Sequence, residues 1–159
     1  MAPRIGQRAP DFALPDSEKR TRSLGEFMPQ GSLLIAFFPF AFSGTCDKEM
    51  CTFRDGFAGL QSAGAGLVGI SVDSVYSLKA FAQTYNLQFP LLSDFNKKVT
   101  KLYGVLQDPW PGLSYKGVAK RSVFLADQKG ILRYRWLTEV PSEEPPYPEV
   151  IRAVQKLTA

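Results

Sequence analysis

The sequence predicts an α/β fold, a mixed central β-sheet flanked by helices on both faces. Three observations carry this. The continuous apolar runs Leu33–Phe38 and Leu67–Val72 have the pattern of strands buried on both sides. Segments with apolar residues at steps of three and four alternate with them, which is the order of a layered α/β domain. A hairpin signal near the C-terminus then adds antiparallel strands and makes the sheet mixed. The chain has 159 residues, a common size for one domain, expected here over 1–159.

The elements follow in order. Pro39 ends the Leu33–Phe38 strand, and Phe40–Gly44 reads as loop. Thr45 or a neighbour caps a helix running to about Ser62, with Met50, Phe53, Phe57 and Leu60 on its inner face. Ala63–Gly66 stops it. After the strand Leu67–Val72, Ser74–Tyr85 is an amphipathic helix carrying Val75, Leu78, Phe81 and Ala82. Phe89–Leu92 is a short strand, and Phe95–Tyr103 a helix ended by Gly104. A loop with Pro109, Trp110, Pro111 and Gly112 leads to strands Arg121–Ala126 and Ile131–Leu137. The turn Asp127–Gly130 joins them, with Gly130 supplying a positive φ. The Pro-rich loop Pro141–Pro148 precedes a terminal helix, Pro148–Leu157.

Composition excludes several chemistries. There is no histidine, so Ser-His-Asp triads, Cys-His pairs and HExxH zinc sites are out. Two cysteines cannot build a four-ligand zinc site within one chain. No cofactor and no metal are expected. The net charge of +4 is spread over scattered lysines and arginines, which reads as solvated surface and not as a nucleic-acid footprint. The longest apolar stretch, Leu33–Phe42, is ten residues with a proline inside, too short for a membrane span. A cytosolic protein is expected, where a cysteine pair is more often reactive than structural.

Cys46 is the centre of the chemical argument. It falls in the first turn of a helix, after a buried strand, a proline and a short loop. Unpaired backbone N–H groups and the helix dipole favour a thiolate there; such cysteines titrate at about 3.5–7.5, against about 8.5 when free. On location alone, a small buried hydrophobe fits equally well.

The residues upstream add a pattern. Pro39, Ser43 and Cys46 stand in the spacing Pro-x-x-x-Ser-x-x-Cys, which resembles the peroxiredoxin motif Pro-x-x-x-Thr-x-x-Cys. Ala9–Leu14, Phe37–Pro39, Gly69–Asp73, Phe89–Asp94 and Arg121–Phe124 are similar, in order, to further segments of that family. The resemblance runs from about Ile5 to Leu137. It implies a thioredoxin-like fold and reduction of hydrogen peroxide and organic hydroperoxides by a cysteine thiolate. It makes Cys46 the attacking residue, oxidised to sulfenic acid. By the same resemblance Ser43 and the Cys46 N–H donate to the peroxide and Pro39 shields the sulfur. Arg121 supplies fixed positive charge that lowers the thiol pKa. Ser43 keeps the usual hydroxyl but lacks the methyl that fixes χ1. Glu49 matches a position that often holds the arginine. Two plainer readings stand beside these: Arg121 as a surface residue of an edge strand, and Glu49 as an acid favoured by the helix dipole.

Cys51 follows Cys46 by five positions. That spacing resembles the bacterioferritin-comigratory-protein (peroxiredoxin Q) type, in which the second cysteine resolves the sulfenic acid. A regular helix holds such a pair about 8.6 Å apart at Cα, and a disulfide needs less than about 7 Å. The bond therefore requires the helix start to unwind. Phe38–Phe42 also resembles the one-cysteine alkyl-hydroperoxide-reductase-E type, in which Cys51 would only pack. The partners implied are a hydroperoxide and a thioredoxin-like reductant, with neither nucleic acid nor membrane, in a monomer or homodimer. The rival functions are a protein dithiol-disulfide oxidoreductase and a non-catalytic binding or holdase module on the same fold.

Overall fold

The computed structural model describes residues 2–158; Met1 and Ala159, the ends of the expected 1–159 domain, lie outside the described residues. The strands are β1 (Ala13–Pro15), β2 (Thr21–Ser23), β3 (Ser32–Phe37), β4 (Ala65–Ser71), β5 (Leu91–Ser93), β6 (Leu106–Gln107), β7 (Val118–Ala119), β8 (Ser122–Ala126) and β9 (Leu132–Leu137). The helices are α1 (Leu24–Phe27), α2 (Thr45–Ser62), α3 (Val75–Tyr85), α4 (Lys98–Leu102) and α5 (Tyr147–Thr158), with a 3-10 turn at Met28–Gln30.

The central sheet has the order β5-β4-β3-β8-β9. β3 runs parallel to β4, and β4 to β5; β8 is antiparallel to β3 and β9. The sheet is mixed, as the sequence predicts. Alternation along β3 divides the core. Leu34, Ala36 and then Phe38 face α2, α3 and α5, packing with Met50, Phe53, Leu78, Phe81, Val150 and Val154. Leu33, Ile35 and Phe37 face the other way, onto Leu24, Val99, Tyr103 and the N-terminal Phe12 and Leu14. Both faces are covered, which is why β3 reads as an unbroken apolar run.

Several boundaries differ from the sequence reading. α2 keeps its expected limits, with Gly44, the neighbour of Thr45, as its N-cap. The strand expected at Phe89–Leu92 forms at Leu91–Ser93; Pro90 has no N–H and joins only through its carbonyl, which accepts from Gly69 N–H at 3.0 Å. The helix expected over Phe95–Tyr103 shrinks to α4 because Lys97 adopts φ 64°. Buried Asp94 caps the shortened helix instead, accepting from Val99 N–H at 3.2 Å, Thr100 N–H at 2.6 Å and the Thr100 hydroxyl at 2.6 Å. β1, β2, β6, β7 and α1 have two to four residues each, too short for a periodic signal.

Candidate active site

The chain leaves β3 at Phe37, passes Pro39, and enters α2 at Thr45. The antiparallel pairing Phe37↔Ser122 carries Arg121, one residue ahead of β8, to the same end of the sheet. Asp73, just after β4, ties the loop down: its Oδ2 accepts from Ala41 N–H at 2.8 Å and from the Ser71 hydroxyl at 2.7 Å. Phe40 is held by edge-on contacts with Trp110 and Tyr115, at centroid distances of 5.3 and 5.8 Å. Gly44 turns into the helix at φ 48°, a conformation a Cβ disfavours.

Cys46 is fully buried. Arg121 Nη1 donates to its Sγ at 3.3 Å and to Glu49 Oε1 at 2.7 Å, while Nη2 donates to the Pro141 carbonyl at 2.9 Å. Glu49 stands three positions after Cys46 on the same face of α2. The Arg121 and Glu49 side chains are 1% and 0% exposed. This rules out the surface reading of Arg121: it precedes an internal strand and is buried in an ion pair. Glu49 Oε2 and Arg121 Nε are buried without hydrogen-bond partners.

Burial pushes the Cys46 thiol up, and the nearby Glu49 carboxylate adds to this. Arg121, then the Ser43 hydroxyl when it turns to the sulfur, and the Phe40 N–H pull it down but do not reverse the shift. The direction is opposite to the lowered pKa expected from the helix start and Arg121; in the closed pocket, desolvation outweighs the guanidinium. Burial likewise raises Glu49 to about 7, against the pull of Arg121.

The other site residues are placed as follows. Ser43 is next to the sulfur, but its hydroxyl donates to the Phe40 carbonyl at 2.9 Å. The Cys46 N–H is also engaged, by the Ser43 carbonyl at 3.2 Å. Both expected peroxide donors are therefore already engaged by backbone carbonyls. Pro39 is buried at the end of the strand. Cys51 is half-buried on the same unbroken helix, and both cysteines are free thiols. The sequence reading missed the Phe40 N–H and the Pro141 carbonyl. Both are backbone groups, and no residue type marks them.

A protein-family model described as the AhpC/TSA family matches residues 5–135. The chain belongs to the AhpC/TSA family, the peroxiredoxins. Like other peroxiredoxins it is an enzyme, a thiol-dependent peroxidase. Among its relatives, the bcp peroxiredoxin sequence of Coxiella burnetii is 39% identical over 137 residues, covering 86% of this chain and 89% of that one. Chloroplastic peroxiredoxin Q of Triticum aestivum is 34% identical, covering 96% of this chain and 67% of that one. Among solved structures, peroxidoxin BcpB of Mycobacterium tuberculosis superposes with a TM-score of 0.85 at 27% identity, covering 96% and 97% of the two chains. A peroxiredoxin-like protein of Aquifex aeolicus gives 0.88 at 27% identity, covering 99% and 89%. The peroxiredoxin fold of these neighbours agrees with the thioredoxin-like architecture expected of the chain. Among the described residues, no helix is long and apolar enough to cross a membrane.

Proposed function

We propose that Cys46 is the peroxidatic cysteine of a single-domain enzyme that reduces hydrogen peroxide and organic hydroperoxides. The observation that carries this is Arg121, hydrogen-bonded to the Cys46 sulfur and locked by Glu49 and Pro141. The thiolate attacks the nearer peroxide oxygen. An S–O bond forms, the O–O bond breaks, and the distal oxygen leaves as water or alcohol once protonated. Charge develops on that leaving oxygen, and fixed donors stabilise it in a site that excludes water. Arg121 supports this with its full charge and with the two N–H groups it has not committed, at Nε and Nη2. Ser43 reaches the peroxide when its hydroxyl rotates away from Phe40, and Pro39 closes the pocket.

In this reading Cys51 resolves the sulfenic acid. Its thiolate attacks the Cys46 sulfur, an S–S bond forms, and the S–O bond breaks to release water. A thioredoxin-like dithiol then reduces the disulfide, a cycle suited to the reducing cytosol and open to a monomer or a homodimer. The intact α2 favours a second reading, in which Cys51 only packs and the reductant attacks Cys46 directly.

Cys51→Ser separates the two. It is expected to consume one equivalent of peroxide, then stall as sulfenic acid and over-oxidise. Mass spectrometry after one equivalent of hydrogen peroxide, with a sulfenic-acid trap, reads this directly. Normal turnover of Cys51→Ser with thioredoxin would overturn the resolving role.

A further inference from the structure

The stretch of α2 that must unwind is tied to the end of α3 at one point. Tyr85, the last residue of α3, donates its hydroxyl to Asp47 Oδ2 at 2.6 Å. Asp47 lies between the two cysteines, inside the segment that has to leave the helix. Its other oxygen, Oδ1, is buried without a hydrogen-bond partner. The anchor is itself held from other sides. Arg54 Nη1 donates to the Tyr85 carbonyl at 2.8 Å, and Arg54 lies beyond Cys51, in the part of α2 that has no need to open. The Tyr85 ring also packs edge-on against Phe81 at 5.4 Å and near Phe42 at 6.3 Å. Asn86, in the left-handed region at φ 52°, ends α3 at that point.

We propose that Tyr85 is a positioning residue for the resolving step, a latch whose hydroxyl holds Asp47, and with it the Cys46–Cys51 turn, in the helix. The proposal rests on the reading that Cys51 resolves Cys46. For Cys51 to reach the Cys46 sulfur, form the S–S bond and release the sulfenic oxygen as water, Asp47 must leave Tyr85. The hydroxyl therefore holds the enzyme longer as sulfenic acid, where a second peroxide can attack it. A hydrogen bond to a carboxylate shifts such an opening equilibrium by about tenfold or more. Losing it also leaves the half-buried Asp47 carboxylate with no hydrogen-bond partner for either oxygen, which favours opening further.

The test compares wild type, Tyr85→Phe and Tyr134→Phe. The last loses a tyrosine–carboxylate bond of the same kind, which joins β9 to Glu149 of α5 at 3.3 Å. Each reduced protein is mixed with one equivalent of hydrogen peroxide and sampled with a sulfenic-acid trap. Tyr85→Phe is expected to form the Cys46–Cys51 disulfide about tenfold faster, with an unchanged second-order rate for peroxide and less sulfinic acid. Amide exchange over 45–53 quickens in the same variant. Disulfide formation at the wild-type rate in Tyr85→Phe, or equal acceleration in Tyr134→Phe, overturns the latch while leaving Cys51 as resolver. If no 46–51 disulfide appears in any protein, the resolving role of Cys51 falls and the latch falls with it. Should Tyr85→Phe not fold, Arg54→Met at the partly exposed end of the same staple is expected to speed disulfide formation; an unchanged rate there overturns the proposal.

Discussion

Cys46→Ser is expected to abolish peroxide consumption, by about a thousandfold or more. Only an ionised sulfur attacks the peroxide, and a serine hydroxyl stays protonated near pH 7. The site adds nothing to offset this, since Cys46 is the only thiol that Arg121 touches. The variant should still fold. Serine is close to cysteine in size, and burying its hydroxyl costs about 1–3 kcal/mol, a loss a domain of this size tolerates. Peroxide decay with a dithiol reductant measures the rate, and circular dichroism checks the fold. Turnover retained in Cys46→Ser would remove this cysteine from the mechanism.

Arg121→Ala should slow the peroxide step by about a hundredfold, the usual loss when one fixed donor to a developing negative charge is removed. The pH profile separates this from a merely structural effect. Only the thiolate reacts, so the rate rises with pH as Cys46 ionises. Arg121 is the strongest group holding the thiol down, and without it the profile moves to higher pH. Lysine should restore only part of the rate: it keeps the charge but not the planar fork that serves Sγ, Glu49 and Pro141 together. The alanine variant also strands Glu49, a fully buried carboxylate. Breaking such a pair costs about 3–5 kcal/mol. Glu49→Gln in the same chain should recover much of that stability without recovering the rate. An unchanged second-order rate in Arg121→Ala would reduce Arg121 to a structural role.

Much of this architecture was legible because its signals are long. The eighteen-residue α2 carries apolar residues at helical steps over about three of its turns, and its limits match the structure. The turn at Asp127–Gly130 was legible for a different reason: it needs a positive φ, and Gly130 supplies it at 80°. The misplaced limits of α4 trace to one residue, Lys97, whose left-handed backbone no residue type announces. In the site, the motif spacing singles out Cys46 and Ser43, the likeness of the Arg121–Phe124 segment singles out Arg121, and the structure brings them together. What the spacing does not encode is which partners are already taken. The Ser43 hydroxyl and the Cys46 N–H are both spent on nearby carbonyls. The upward shift of the thiol was equally invisible, because it depends on how completely distant segments exclude water.

The burial of Cys46 has a consequence for anyone taking a thiol inventory of this protein. Cys46 has no exposed surface, whereas Cys51 is partly open. A bulky maleimide or an aromatic disulfide titrant is expected to label Cys51 quickly and to find Cys46 only after the chain opens. Ranked by such reagents, the attacking cysteine would look inert and its partner reactive. A peroxide is a few atoms across and needs a far smaller opening than these reagents to reach the sulfur. Labelling and peroxide rates should therefore rank the two cysteines in opposite orders, and Cys46 reacting first with the bulky reagent in the native protein would contradict the closed pocket described here.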